Sequence, residues 1–400
     1  ALQAELRAAA EPLEVASLAE AVTALVERRG EGGAGRVCED AVRRVGDDPL
    51  AEARVRLLRA RHLQHVGDAR LVEDAHRALS LAEPCEAWGV ALHACGLLAT
   101  WHQGRGEAAE AQDALARSAA LAARCGRRRE HRYAEGMVLH LRGDLDAAVD
   151  ALREAHVLAV REGDADLARD ALLKEAVVLA DAGRLDESAS TADQCLRLGL
   201  ASAASEAVLH GTMGQVELQR GHFARAEEHH ALCLRAARRA GRPEGEAAAR
   251  IGLGTAALAR GDWDRAIDEL GAALETWSRH GSPLWLGLAR GMLGLAHQGA
   301  GELEVAGSLY RDAFESLAEV APRQAWRLRS WEALLWCAMG RDGASALAEE
   351  ALNRATELED ADGAALAVAV RDLLDGESSR RRIPEPSDAI LMHLGSRYPR

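Results

Sequence analysis

The stretch from Arg250 to Gly281, RIGLGTAALARGDWDRAIDELGAALETWSRHG, decides how the 400-residue chain is read. It holds two segments with apolar residues at helical spacing, joined by a tight turn at Gly261-Asp262. Small residues stand where two helices must approach: Gly254 lies seven before Gly261, Ala266 five after it and Ala273 twelve after it. Leu270, nine after the turn glycine, shares a helical face with Ala266. Trp263, two after it, can plug the open end of the hairpin.

Most of the chain repeats this arrangement. Turns of the same kind occur at Gly67-Asp68, Gly106-Glu107, Gly143-Asp144, Gly183-Arg184, Gly221-His222 and Gly301-Glu302, with a looser copy at Gly340-Arg341. From Gly106 onward the turn glycines are spaced by 37, 40, 38, 40, 40 and 39 residues. Plug residues recur as Leu145, Leu185, Phe223 and Leu303. The five-offset position carries Ala111, Ala148, Ala226 and Ala306, with Ser188 in one copy. The nine-offset position carries Leu115, Leu152 and Tyr310, and the twelve-offset position Ala155, Cys195, Cys233 and Ala313. Gly136, Gly214 and Gly294 repeat the place of Gly254, and Ala176 takes it in one copy. Glycine inside a helix costs roughly 1 kcal/mol relative to Ala. Its recurrence at one offset therefore points to close helix packing.

This pattern resembles the tetratricopeptide repeat (TPR) family over most of residues 48–358. Gly254, Ala266, Leu270 and Ala273, and likewise Gly136, Ala148, Leu152 and Ala155, approach its small, small, aromatic, small signature; Tyr310 restores the aromatic. The period here is longer than the family's usual ~34 residues. It is similar to the long-repeat subtype of bacterial signal-transduction ATPases and maltose-regulator-type transcription regulators. The resemblance implies an all-α, right-handed α-solenoid of stacked hairpins, first helices inside and second helices outside. The expected organisation is a degenerate N-terminal hairpin over 1–47, about eight hairpins over 48–358, a capping helix over 359–375 and a linker or tail over 376–400. A cap is expected because each repeat buries its core against its neighbours.

Composition fits this reading. Ala, Leu, Glu and Arg favour helix, and no alternating run of β-branched residues suggests a strand. A formal net charge of −14 argues against nucleic acid as the main partner. Seven cysteines without a CxxC pair make neither a disulfide framework nor a zinc knuckle, and point to buried thiols in a reducing cytoplasm. Nothing resembles a signal peptide or a membrane span. The chain begins at Ala1 rather than Met, as a fragment of a larger ATPase, kinase or transcription regulator would.

Motifs that could carry chemistry are few. Gly30, Gly32 and Gly35 match GxGxxG, but helix precedes them, whereas a dinucleotide fingerprint follows a strand. Lys174, the only lysine, sits in mid-helix without the glycine loop that a phosphate site needs. His229, His230 and Cys233 carry metal-ligating groups, His229 and Cys233 on one helix face, but the twelve-offset position asks only for a small buried residue such as Cys233. The arginines of 124–132 and 235–242 fall at helix ends, where cations complement the helix dipole. No catalytic group, cofactor or resident metal is expected.

The function implied is a non-catalytic scaffold or regulatory sensor that binds a peptide or protein in its concave groove. Candidate groove residues, from first-helix offsets, are Tyr133, Met137, His140, Lys174, Gln215, Arg250, Arg290 and Trp326. Six of the eight tryptophans lie between Trp263 and Trp336, so the alternative is a small-molecule or oligosaccharide sensor with a pocket near those repeats. Self-association through repeat ends is a further possibility. The register itself is testable. Ala266→Trp is expected to overpack the hairpin and lower stability by about 1–3 kcal/mol; an unchanged thermal transition would contradict it.

Overall fold

In a computed structural model of the chain, residues 2–29, 33–65, 68–280 and 283–375 are described. The Gly30 and Gly32 positions, the Gly67 turn glycine and the tail with Arg380–Arg382 lie outside them. Every regular element among the described residues is a helix. The helices form two compact units dividing at Leu209 and His210, with Arg239–Gly241 belonging to the first. The first unit holds α1 (Leu2–Ala8), α2 (Pro12–Arg29), α3 (Ala34–Arg44), α4 (Pro49–His65), α5 (Arg70–Ala82), α6 (Trp88–Gly104), α7 (Ala108–Cys125), α8 (Arg128–Arg142), α9 (Leu145–Arg161), α10 (Ala165–Asp181), α11 (Leu185–Leu198) and the start of α12 (Ala203–Gln219). The second holds the rest of α12, nearly all of α13 (Phe223–Arg239), then α14 (Pro243–Ala259), α15 (Trp263–His280), α16 (Pro283–Gly299), α17 (Leu303–Leu317), α18 (Pro322–Ala338), α19 (Ala344–Glu357) and α20 (Ala361–Asp375). Within each unit consecutive helices pack as hairpins, α8 on α9 and α16 on α17 among the most extensively. No described helix is long and apolar enough to cross a membrane.

One turn geometry explains the repeated glycine. In the hairpin turn after α8, the Gly143 N–H donates to His140 O, and the Asp144 N–H donates to Leu139 O. The same two bonds recur at Gly106, Gly183, Gly221, Gly261, Gly301 and Gly340. This is a Schellman motif, and it requires a left-handed residue at its C′ position. Gly143 has φ +86° and Gly261 φ +72°, values that a side chain would strain. At Gly106, Gly143, Gly183 and Gly301 the residue after the glycine, whose N–H makes the second bond, is also the N-cap of the next helix, whereas after Gly340 the next helix is capped by Gly343. The second helix therefore begins on the plug residue, as α9 does at Leu145 and α15 at Trp263. In three turns the flanking side chains also pair: His102 with Glu107 at 2.6 Å, Glu217 with His222 at 2.8 Å and His297 with Glu302 at 2.6 Å.

The periodic small residues are contact points. Ala111, Ala148, Ser188, Ala226, Ala266 and Ala306 are all buried. A Cβ added at Gly254 would lie 2.5 Å from Leu270 Cγ, and one at Gly136 2.7 Å from Leu152 Cγ. At Gly294 the obstruction is the ring of Tyr310, again at 2.7 Å. The glycine of the first helix thus receives the large nine-offset residue of the second. Where Ala176 replaces the glycine, its partner position is the small Ala192. Trp263 lies against Gly299 of α16, the first helix of the next hairpin.

Within the segment 1–47, expected as one degenerate hairpin, the additional helix α1 is not anticipated by the periodicity. Arg44 at the end of α3 donates to Leu6 O at 2.6 Å and Ala9 O at 2.5 Å, which ties it down. At the other end α20 packs on α18 and α19. Arg327 and Asp360, 6% and 5% exposed, form a bidentate ion pair between α18 and the start of α20. Removing one member would leave a buried charge uncompensated, a loss of about 3–5 kcal/mol.

His230 fills the nine-offset position that Leu152, Leu270 and Tyr310 fill elsewhere. Its ring is sunk between Gly214 and Gly252, and neither ring nitrogen has a hydrogen-bond partner. Burial, with His229 nearby, pushes its pKa down to about 4. The unfolded chain takes up this proton near pH ~6.5 and the folded chain does not, so stability falls as pH drops from about 6.5 towards 4. His230→Leu is expected to remove roughly 1–3 kcal/mol of that acid sensitivity in urea melts at pH 7.5 and 5. Equal losses in both proteins would refute the assignment.

Candidate functional site

The helices that precede each turn, α4, α6, α8 and α10, pack in sequence within the first unit. Four polar side chains from this row influence one another: Arg61 on α4, His93 on α6, Tyr133 on α8 and Asp170 on α10. His93 is exposed, yet protein crowds it closely enough that desolvation lowers its pKa. Burial raises the Tyr133 pKa, and Asp170 adds to the effect. Desolvation also raises the Asp170 pKa, opposed by Arg61 and Lys174. Arg61 acts on each of the other three, and the face they share along successive first helices is the candidate recess. Arg61 is exposed and makes no ion pair among the described residues. A guanidinium in such a recess can hold a carboxylate or carbonyl in a fixed orientation.

The sequence-derived candidates fall into both units. Tyr133 is half-buried against Ala159, Leu167 and Ala168 and borders the recess. Lys174, one turn beyond Asp170, borders it too. Met137 is half-buried on the same helix as Tyr133. His140 is tied to Asp181 at 2.6 Å, linking α8 to α10. In the second unit Gln215 is half-buried on α12. Arg250 pairs with Glu269 at 2.5 Å and Arg290 donates to Ser316 Oγ at 2.8 Å, each bracing its own hairpin. Trp326 meets Phe314 edge-on at 5.3 Å and receives the Arg354 guanidinium at 5.6 Å.

Arg61, His93 and Asp170 were not singled out by sequence. Their offsets carried a signal. Arg61 stands six before its turn glycine, as Met137 does, and His93 and Asp170 both stand thirteen before theirs. The arginine-rich 124–132 stretch, by contrast, is neutralised locally. Arg128 pairs with Glu154 at 3.0 Å and Arg132 with Glu154 at 2.7 Å, and Arg124 lies 5.1 Å over the Trp88 ring. The late tryptophans serve the core in large part: Trp331 and Trp277 are buried, and Trp277 stacks on Trp285 at 5.2 Å. Among the described residues no group of three or more His, Cys, Asp or Glu is placed to hold a metal ion. The seven cysteines are all free.

The stacked hairpins, with Schellman turns and glycine contacts at a fixed offset, define a TPR-type α-solenoid fold. Solved structures agree. A signal transduction ATPase with numerous domains from Pyrococcus horikoshii, which carries a tetratricopeptide repeat sensor, superposes with a TM-score of 0.58 at 16% identity. The match covers 90% of this chain and 54% of that one, so this chain spans about half of that protein. RapI in its apo form gives a TM-score of 0.60 at 14% identity, covering 86% of this chain and 96% of RapI. A Rap protein complexed with Competence and Sporulation Factor gives 0.55 at 12% identity, covering 90% and 97%. No protein-family model and no curated protein matches the chain.

Proposed function

We propose that the chain is a non-catalytic regulatory scaffold of the cytoplasm that binds an extended peptide or a partner's segment along the first-helix face. The observation that carries this reading is the recess of Arg61, His93, Tyr133 and Asp170, with Lys174 at its edge. Four consecutive first helices each contribute a polar group, so an extended ligand crossing them meets one group per repeat. Arg61 takes a carboxylate of the ligand, and Asp170 with Lys174 the polar groups that follow. Two similar folds are described as a sensor and as a complex with a factor, which supports a binding role. In this reading the repeats run over 48–358, with 359–375 as their cap and 376–400 as a linker or tail. The formal net charge of −14 disfavours nucleic acid as the partner.

The test uses the full chain panned against a random heptapeptide library. Binders are expected, and Arg61→Glu should weaken them at least tenfold, about 1.4 kcal/mol. The same substitution, at an exposed position, should change thermal stability by no more than about 0.5 kcal/mol. Peptides that bind Arg61→Glu and Tyr133→Ala as tightly as the parent would place the groove elsewhere. Stabilisation by an oligosaccharide or metabolite screen, with no peptide selected, would favour the small-molecule reading instead.

A further inference from the structure

Opposite charges in the first unit commonly pair across neighbouring helices. His140 meets Asp181 between α8 and α10 at 2.6 Å, and Arg153 meets Glu175 between α9 and α10 at 2.8 Å. Arg61 on α4 and Asp170 on α10 depart from this. Neither side chain has an ion pair or hydrogen bond among the described residues. The first helices pack α4 on α6, α6 on α8 and α8 on α10, so these two residues stand at opposite ends of the row. Yet Arg61 is foremost among the cations acting on Asp170, ahead of Lys174 one turn along the same helix. Coulomb attraction falls with distance, so the guanidinium reaches back over the row towards the carboxylate. Tyr133 of α8 packs against the cluster of Leu167 and Ala168 one turn before Asp170, and its hydroxyl has no hydrogen-bond partner among the described residues.

We propose that this site selects a peptide carrying an acidic and a basic side chain within two residues of each other, the acid held by Arg61 and the base by Asp170. The inference rests on the peptide reading above and adds the charges that the peptide must carry. Asp170 is half-buried, and a carboxylate shielded from water without a partner is disfavoured, which is why its pKa is pushed up. A ligand ammonium or guanidinium replaces the lost hydration; a neutral or acidic group does not. The Tyr133 hydroxyl, beside Asp170, can accept a hydrogen bond from the same cation. Arg61 is exposed and offers a planar fork of donors matched to a carboxylate. A ligand with one charge would satisfy one wall and leave the other unpaired. In an extended peptide, side chains two residues apart stand about 6.5–7 Å apart on one face, so one short segment can supply both charges.

Fluorescence anisotropy with the full chain at pH 7.5 tests it, using four pools of labelled heptapeptides with blocked ends and otherwise uncharged random positions. One pool carries an acid and a base within two residues, one an acid alone, one a base alone and one neither. The paired pool should bind about tenfold more tightly than each of the others. In Arg61→Ala the paired pool should do no better than the base-only pool, and in Asp170→Asn no better than the acid-only pool. Both variants should melt at the parent's temperature. Equal binding of all four pools, or a paired preference that survives Asp170→Asn, would overturn the inference and leave the peptide reading standing. No binding by any pool would sink both. If both variants melt lower while the preference persists, Arg61 and Asp170 serve each other and the proposal fails.

Discussion

The close approach of two helices at a glycine underlies every other feature of the fold. Leu152, Leu270 and Tyr310 lean into the space that Gly136, Gly254 and Gly294 leave open, and the hairpin closes on that contact. The helix gives up roughly 1 kcal/mol of propensity at each glycine. The gain is a buried side chain, worth about 1.5–3 kcal/mol. Close approach in turn fixes how short the turn can be. A Schellman bond pair whose second donor also caps the next helix leaves no room for a longer link, so the plug residue falls at the first position of the second helix. Period, turn and packing are one constraint expressed three times.

That coupling is why the fold was legible in the sequence. Each hairpin must satisfy the same contacts, so the offsets of Gly261, Ala266 and Leu270 recur and can be counted. The N-terminal α1 shows the limit, since it repeats nothing and is held by Arg44 through backbone carbonyls. The first-helix face is less constrained. Its residues vary because packing does not dictate them, and a periodic offset alone cannot say whether a side chain is engaged. Arg250 and Arg290 share one offset, yet both are occupied within their own hairpins. Arg61, by contrast, is distinguished only by what surrounds it, which depends on three other helices. His230 shows the reverse case: a residue with ligating chemistry that does the work of a leucine.

Variation at one structural position also separates roles along the chain. The paired offsets that carry Arg250 and Glu269 in one hairpin carry His210 and His229 in another, on an unchanged backbone. The turn pairs show the same economy. His102 with Glu107 and Glu217 with His222 exchange sides across equivalent turns and keep the same contact. The repeat supplies geometry, and individual copies are free to alter the chemistry placed on it. The pairing of Asp360 with Arg327 at the start of α20 has an interior counterpart in Asp164, which caps α10 and pairs with Arg129 at 3.3 Å.

The lone lysine has a practical meaning. Lys174 is the only lysine, so it carries the only side-chain primary amine in the chain. It stands on α10 beside Asp170, at the edge of the recess. An amine-selective reagent therefore has a single side-chain address, beside the groove proposed for the ligand. A fluorophore or cross-linker attached there reports on one place in the molecule without any engineered residue.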